Sequence, residues 1–170
     1  CAASPPWAQP PRHFWLSPAL LATEAVALGG AHHVLRAAVQ SGAMTTATYF
    51  TAHVPLSLHF GWITAASVVS LNSLAALTLS LPAQLATAFA SVVGSAVVGT
   101  GVTVVTGDPL YALTLAWALS GVASDGGKRC KEVLGEVPLE ALTMTASAGA
   151  RALVAVALGT CAAGWWMSKY

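Results

Sequence analysis

Charged side chains are scarce in this sequence. Lys, Arg, Asp and Glu account for 8% of the 170 residues, hydrophobic residues for 56%, and the formal net charge is only +1. Because a typical soluble domain carries about 25% charged residues, this composition excludes most soluble folds. A net charge of +1 also excludes a protein that binds nucleic acid through an excess of positive charge. The composition therefore predicts a protein that is solvated by lipid.

Paired cysteines and catalytic motifs are missing as well. Cys1, Cys130 and Cys161 lie far apart with no C-x-x-C spacing, so neither a disulfide framework nor a zinc site is indicated. The chain contains no H-E-x-x-H, G-x-S-x-G or P-loop pattern. The charged residues within its apolar stretches do not converge on one segment. We therefore expect neither a metal site nor enzymatic activity.

The chain has room for about five membrane-spanning helices, since one such helix needs about 20 apolar residues. We predict an all-α, integral membrane helical bundle that forms a single domain over residues 16–168, preceded by an extramembrane N-terminal tail over residues 1–15. A short interfacial helix is expected between the first two spans, over residues 45–53. The predicted spans cover residues 16–39, 56–81, 83–106, 110–123 and 139–166.

Five spans place the N-terminal tail and the loop over residues 124–137 on the same side of the membrane. Most of the basic residues outside the spans belong to these two segments, namely Arg12, Lys128, Arg129 and Lys131. The positive-inside rule predicts that this side faces the cytosol, the matrix or the stroma.

Small residues are concentrated in the third predicted span. Ala90 with Gly94, and Ser95 with Gly99, form two small-x-x-x-small pairs, which allow helix backbones to approach closely in lipid. We expect these four residues to pack against another helix, and this span to be the most buried one.

Polar side chains within the first two spans are candidates for contact with a cofactor. A polar group in lipid must find a partner, and a neutral imidazole can bind the metal of a tetrapyrrole or hydrogen-bond a backbone carbonyl. Glu24, His32 and His59 are therefore either pigment contacts or structural and interfacial residues. His59 precedes Trp62 by three residues and shares its helical face.

Two stretches of the chain resemble the tryptophan-rich sensory protein family, which includes the bacterial tryptophan-rich sensor and the mitochondrial translocator protein. The stretch from Pro55 contains Gly-Trp-Ile-Thr at residues 61–64 and a following Asn72, and a second stretch contains Trp-Ala-Leu-x-Gly at residues 117–121. The similarity covers roughly residues 45–165. The N-terminal helix pattern of the sensors and their additional pocket tryptophans have no clear match here.

The resemblance implies a compact helical membrane bundle, whose best-known relatives bind porphyrins and other flat apolar ligands. By motif it assigns Trp62 and Trp117 to the ligand site.

The first residues, which begin with Cys1 and include four prolines among residues 1–13, predict a mature protein whose targeting segment has been removed.

Our leading functional hypothesis is a non-catalytic membrane subunit of a larger organellar complex. We expect a thylakoid photosystem or light-harvesting complex, in which the chain packs against lipids and neighbouring subunits. There it would bind carotenoid, or chlorophyll or another tetrapyrrole. The alternative is a free-standing tetrapyrrole-binding sensor or transporter. The alternative location is the mitochondrial inner membrane.

Overall fold

The structure is a computed structural model that describes residues 13–125 and 135–167, and these residues form five long helices without a β-strand. The all-α prediction is confirmed for this part of the chain. The N-terminal tail up to residue 12 and most of the predicted loop over residues 124–137 lie outside the described residues. The helices are α1 (Leu16–Gln40), α2 (Val54–Thr78), α3 (Leu81–Thr106), α4 (Pro109–Asp125) and α5 (Glu136–Met167).

The segment before α2 is helical, as predicted, but it continues into α2 without a break. A single α-helical turn, Thr46–Thr48, leads into a π-helical turn, Tyr49–His53. The Thr45 hydroxyl caps this start by accepting the backbone N–H of Thr48 at 3.2 Å. The predicted interfacial helix is therefore the first part of one long helical segment, Thr46–Thr78.

Proline and glycine set the boundaries between α2, α3 and α4. Pro82 occupies the first turn of α3, where its missing N–H costs nothing. Gly107 ends α3 with a left-handed φ of 69°, a conformation that favours glycine. Asp108 then caps α4, since its Oδ1 accepts the backbone N–H of Leu110 at 3.0 Å.

The core is centred on α4, which packs against α2, α3 and α5. The expectation that the third span is the most buried helix is wrong. Helix α3 buries a single stripe of four residues along its 26, whereas α4 buries five of its 17 residues. The short α4 is enclosed by three neighbours, while α3 keeps a broad outer face. The buried residues of α4 are Tyr111, Ala112, Leu115, Ala116 and Leu119.

Three described helical segments are long and apolar enough to cross a membrane, namely Thr46–Thr78, Leu81–Thr106 and Glu136–Trp166. Helix α1 carries Glu24 and Arg36, and α4 has only 17 residues, so neither reaches the same length and apolar character. Large aliphatic side chains such as Val26, Val105 and Leu158 lie exposed on the outside of the bundle. This surface suits an integral membrane protein.

The four residues predicted to support helix packing divide into two pairs. Ser95 and Gly99 are buried, and a Cβ added to Gly99 would lie 2.6 Å from Cδ2 of Leu153 on α5. Ala90 is exposed, and a Cβ added to Gly94 would meet nothing within 4 Å. The close approach of helices therefore occurs at Ser95 and Gly99, and the other pair is uncovered.

Candidate functional site

Two tryptophans lie side by side where α2 crosses α4. The crossing is close because Gly61 has no side chain: a Cβ there would lie 2.7 Å from Cβ of Thr114. Trp62 follows Gly61, and Trp117 lies one helical turn after Thr114. Their ring centroids are 5.5 Å apart with an interplanar angle of 37°. The rings are 50% and 64% exposed, so they form an aromatic surface on the outside of the bundle.

A groove of about 820 Å³ runs beside this tryptophan pair, between α1, α2 and α4. This volume lies within the range of about 300–1,000 Å³ that is typical of ligand pockets. The small residues Ala65 and Gly121 leave the space open, and the rest of the lining is mostly apolar. Hydroxyl groups supply its polar lining, namely those of Ser17, Ser70, Ser120 and Ser124.

A carboxylate–imidazole pair lies one helical turn from the groove. Oε1 of Glu24 is 3.4 Å from Nε2 of His59, and both side chains are about half exposed. Glu24 follows the groove residue Leu21 by three positions, and His59 precedes Trp62 by three. Ionisable groups within a membrane segment are costly and generally have a functional partner. The structure thus brings four of the five predicted cofactor contacts to one side of the bundle.

The fifth predicted contact, His32, lies elsewhere, in a fully buried polar cluster. Its Nε2 is 2.7 Å from Oδ2 of Asp108, and Nε2 of His53 is 3.7 Å from the same oxygen. The rings of His32 and His53 stack with centroids 5.7 Å apart, and Phe60 packs against His32 at 5.5 Å. We call His32, His53 and Asp108 the histidine–aspartate cluster.

Helix α1 and the turn between α3 and α4 are joined beside this cluster. Arg36 donates from Nε to the carbonyl of Thr106 at 2.6 Å and from Nη2 to the carbonyl of Gly107 at 2.7 Å. Gln40 also donates to the carbonyl of Thr106, at 3.0 Å. These bonds satisfy carbonyls that the end of α3 leaves without intrahelical partners.

The Asp108 carboxyl lies in the turn, outside the helices, and stays acidic in spite of its burial. Burial raises its pKa, but the hydrogen bond from His32, the approach of the Ser57 hydroxyl and the Leu110 N–H together hold the pKa below its usual range. The Ser57 hydroxyl does not reach hydrogen-bond geometry, and neither ring nitrogen of His53 has a hydrogen-bond partner.

Sequence reasoning did not single out His53 and Asp108. His53 is the last residue of the segment over which a short interfacial helix is predicted, and Asp108 lies in a Gly-Asp-Pro turn, where helix capping alone explains it. An aspartate at such a turn is common, and only the fold brings it against two histidines. No sequence signal connects the three residues.

The comparisons with known proteins identify one family. No curated protein and no solved structure matches the chain. A family model described as TSPO-like protein matches residues 11–159, and this range includes α1 as well as the stretches that carry the resemblance. The chain therefore belongs to the TSPO-like protein family.

Proposed function

We propose that this membrane protein binds a flat, largely apolar ligand of the tetrapyrrole class in the groove beside Trp62 and Trp117. The observation that carries the proposal is the pair of half-exposed indoles, 5.5 Å apart, at the edge of a groove of about 820 Å³. Indole rings present large rigid faces on which another aromatic ring can stack. Membership of the TSPO-like family favours a tetrapyrrole among the possible flat ligands.

The lining of the groove suits a flat ring that has apolar faces and polar substituents at its edge. The tryptophans, Leu21 and Ala65 would contact the macrocycle, and the serine hydroxyls of the groove would face its polar substituents. His59 is the imidazole nearest in sequence to Trp62 on the same face. It would supply a ligand or a hydrogen bond to the centre of the ring, with Glu24 holding it in place.

The proposed activity is binding without chemical conversion. The groove is lined by indole, aliphatic and hydroxyl groups, and a single carboxylate–imidazole pair lies beyond its end. Such a lining stacks and orients a ring, and we expect the protein to hold a tetrapyrrole as a sensor or carrier. We also infer that α1 and α4 cross the membrane together with α2, α3 and α5.

The second candidate function is a subunit of a pigment-containing complex in the thylakoid membrane. Ala90 and Gly94 favour it, because their uncovered position on α3 would let a helix of a neighbouring subunit approach closely. In that case the groove would hold chlorophyll or carotenoid. The mitochondrial inner membrane is the alternative location for a free-standing tetrapyrrole-binding protein.

Titration with protoporphyrin IX tests the proposal. The full chain is reconstituted in lipid nanodiscs, and tryptophan fluorescence and porphyrin absorbance are followed against empty nanodiscs. We expect saturable binding with quenching of the indoles. Trp62→Ala and Trp117→Ala should each weaken binding about fivefold or more, since a stacked aromatic pair contributes about 1 kcal/mol. Trp165→Ala, at the exposed end of α5, is the matched control and should bind like the wild type.

Equal porphyrin uptake by the wild type and Trp62→Ala would contradict the groove as the binding site. Extraction from native membranes in mild detergent separates the two candidate functions. Migration alone with bound tetrapyrrole supports the first, whereas migration within a large coloured complex, without porphyrin binding by the isolated chain, supports the second.

A further inference from the structure

The histidine–aspartate cluster gathers three metal-ligating side chains from three parts of the chain. His32 comes from α1, His53 from the π-helical turn before α2, and Asp108 from the turn between α3 and α4. One ligand atom of each lies within 4.8 Å of those of the other two, and all three side chains are buried. The cluster is separate from the tryptophan groove, which none of the three residues lines.

His53 has no hydrogen-bond partner that would explain its burial. Neither Nδ1 nor Nε2 makes a hydrogen bond, although the side chain has no exposed surface. A buried donor or acceptor without a partner costs about 1–3 kcal/mol. The Ser57 hydroxyl, one helical turn further along, is also buried and unpaired. Two unsatisfied polar side chains next to a buried carboxylate indicate a missing group between them.

The backbone at His53 is also unusual. Residues Tyr49–His53 form a π-helical turn, and His53 is its last residue. Such turns are rare in proteins and are frequent at functional sites. The Thr45 cap and the continuous α2 account for the helix itself, but neither requires the wider turn. The turn is therefore an independent sign that the placement of His53 matters.

We propose that Nε2 of His32, Nε2 of His53 and Oδ2 of Asp108 bind one divalent transition-metal ion of the Zn²⁺ type. Two imidazoles and one carboxylate are a common ligand set for zinc, with bond lengths of about 2.0–2.2 Å. Ligand atoms around a tetrahedral zinc are consequently about 3.3 Å apart. The two observed distances to Oδ2 of Asp108, 2.7 and 3.7 Å, lie on either side of this value.

Binding requires only a local rearrangement. Nε2 of His32 gives up the proton that links it to Asp108 across 2.7 Å, and the ion takes the place of this proton between the two side chains. A neutral ring takes the proton on Nδ1 instead, and a protonated ring releases it to solvent, so that His32 binds the ion as a neutral imidazole. The same ion gives His53 the partner that it lacks. Ser57 would belong to the polar shell that orients the ligands, since its hydroxyl faces Asp108.

The ligand types and the charge of the neighbouring Arg36 together predict which ions bind. Arg36 contacts the carbonyl of Gly107, directly before Asp108, and brings a positive charge close to the only carboxylate of the cluster. Mg²⁺ and Ca²⁺ depend on several oxygen ligands and should not bind here. Zn²⁺ and Co²⁺ bind imidazole strongly and should be accepted. The bound ion would connect α1, the start of α2 and the turn between α3 and α4.

Metal titration of the full chain tests the proposal. The protein is purified through an affinity tag without histidine, stripped with a chelator, and titrated with Zn²⁺, Co²⁺ and Mg²⁺. We expect one Zn²⁺ per chain by calorimetry, a higher melting temperature with Zn²⁺ but not with Mg²⁺, and the intense visible absorption of tetrahedral Co²⁺. The Co²⁺ spectrum reports on the wild type and does not depend on the folding of any variant.

Variants locate the ion. His53→Ala should lower the affinity for Zn²⁺ at least about tenfold, because losing a partner one shell further out already costs that much. His33→Ala removes an exposed neighbouring imidazole and should bind like the wild type. Trp62→Ala should also keep the metal, so the result is independent of porphyrin binding. Absence of stoichiometric Zn²⁺ binding by the wild type, or equal losses in His33→Ala and His53→Ala, would overturn the proposal.

Discussion

Nε2 of His32 lies 2.7 Å from Oδ2 of Asp108, although 76 residues separate them in the chain. Together with the two bonds from Arg36 to the carbonyls of Thr106 and Gly107, this contact joins α1 to the turn between α3 and α4. The tryptophan groove lies towards the opposite end of α1, where Ser17 is among its lining residues. The bundle thus has a polar junction at one end of α1 and an open apolar groove at the other.

Removal of Asp108 should destabilise the metal-free protein strongly. Asp108→Ala leaves His32 without a partner and removes the cap of α4, so we expect the free energy of unfolding to fall by about 3–5 kcal/mol. Asp108→Asn retains an oxygen that can cap Leu110, and its cost should be about 1–2 kcal/mol. Thermal unfolding in detergent with a chelator present measures both. Because both variants lack the carboxylate charge, equal losses would contradict a contribution from the retained oxygen to the cap of α4.

Removal of Arg36 should release α1 from the turn. Arg36→Ala leaves two carbonyls without their charged donor, and we expect a loss of about 2–4 kcal/mol in the free energy of unfolding. Arg151→Ala is the matched control, because the hydrogen bond of Arg151 is to the carbonyl of Ser147 within its own helix. The same unfolding measurement compares them. Similar melting temperatures for the two variants would contradict this role of Arg36.

The sequence predicts the helices well because their boundaries depend on local chemistry. Pro82 and Pro109 indicate where α3 and α4 begin, and the apolar runs between the turns indicate their lengths. The π-helical turn at Tyr49–His53 is not predictable in this way, since no residue type specifies it. The histidine–aspartate cluster escapes prediction for a different reason: it depends on how three distant segments pack.

The small residues of α3 show the same limit. Each residue turns an α-helix by about 100°, so Ser95 and Gly99 share one face, while Gly94 and Gly99 are about 140° apart. Spacing therefore predicts two packing faces but does not show which one meets a neighbour. The structure packs the Ser95 and Gly99 face against α4 and α5, where Leu115 and Leu153 lie close to Gly99.

A side chain at Gly99 should disturb the core. A Cβ there would lie 2.6 Å from Leu153 and 3.0 Å from Leu115, and both leucines are too deeply buried to move aside. We expect Gly99→Ala to lower the free energy of unfolding by about 1–3 kcal/mol through overpacking. Gly94→Ala adds a methyl group in open space and should not lower it, because alanine favours a helix interior over glycine by up to about 1 kcal/mol. Thermal unfolding of both variants in detergent is the measurement, and an unchanged Gly99→Ala would contradict the packing.

A side chain at Gly61 should affect both the stability and the proposed ligand site. A Cβ at this position would lie 2.7 Å from Cβ of Thr114, so Gly61→Ala has to push α2 away from α4. The neighbouring Trp62 and Trp117 would then separate. We expect a loss of about 1–3 kcal/mol in the free energy of unfolding and weaker quenching of tryptophan by protoporphyrin IX. Gly94→Ala is the control, because an added Cβ there meets nothing within 4 Å and Gly94 does not line the groove, so the quenching should be unchanged.

Five membrane crossings predict on which side of the membrane each helix end lies. If α1, α2, α3 and α4 all cross, His13, Ser80 and Asp125 lie on one side and Ala43 on the other, because each helix reverses the direction of the chain. All four residues are exposed at helix ends, so single cysteines there should react readily.

The experiment uses a background in which Cys1, Cys130 and Cys161 are replaced by Ala. An impermeant maleimide applied to sealed vesicles should either label all of His13→Cys, Ser80→Cys and Asp125→Cys or leave all three unlabelled. Ala43→Cys should give the opposite result. Labelling of Asp125→Cys together with Ala43→Cys would show that α4 does not cross, because Ser80 and Asp125 would then lie on different sides. The same pattern for His13→Cys would exclude a crossing by α1.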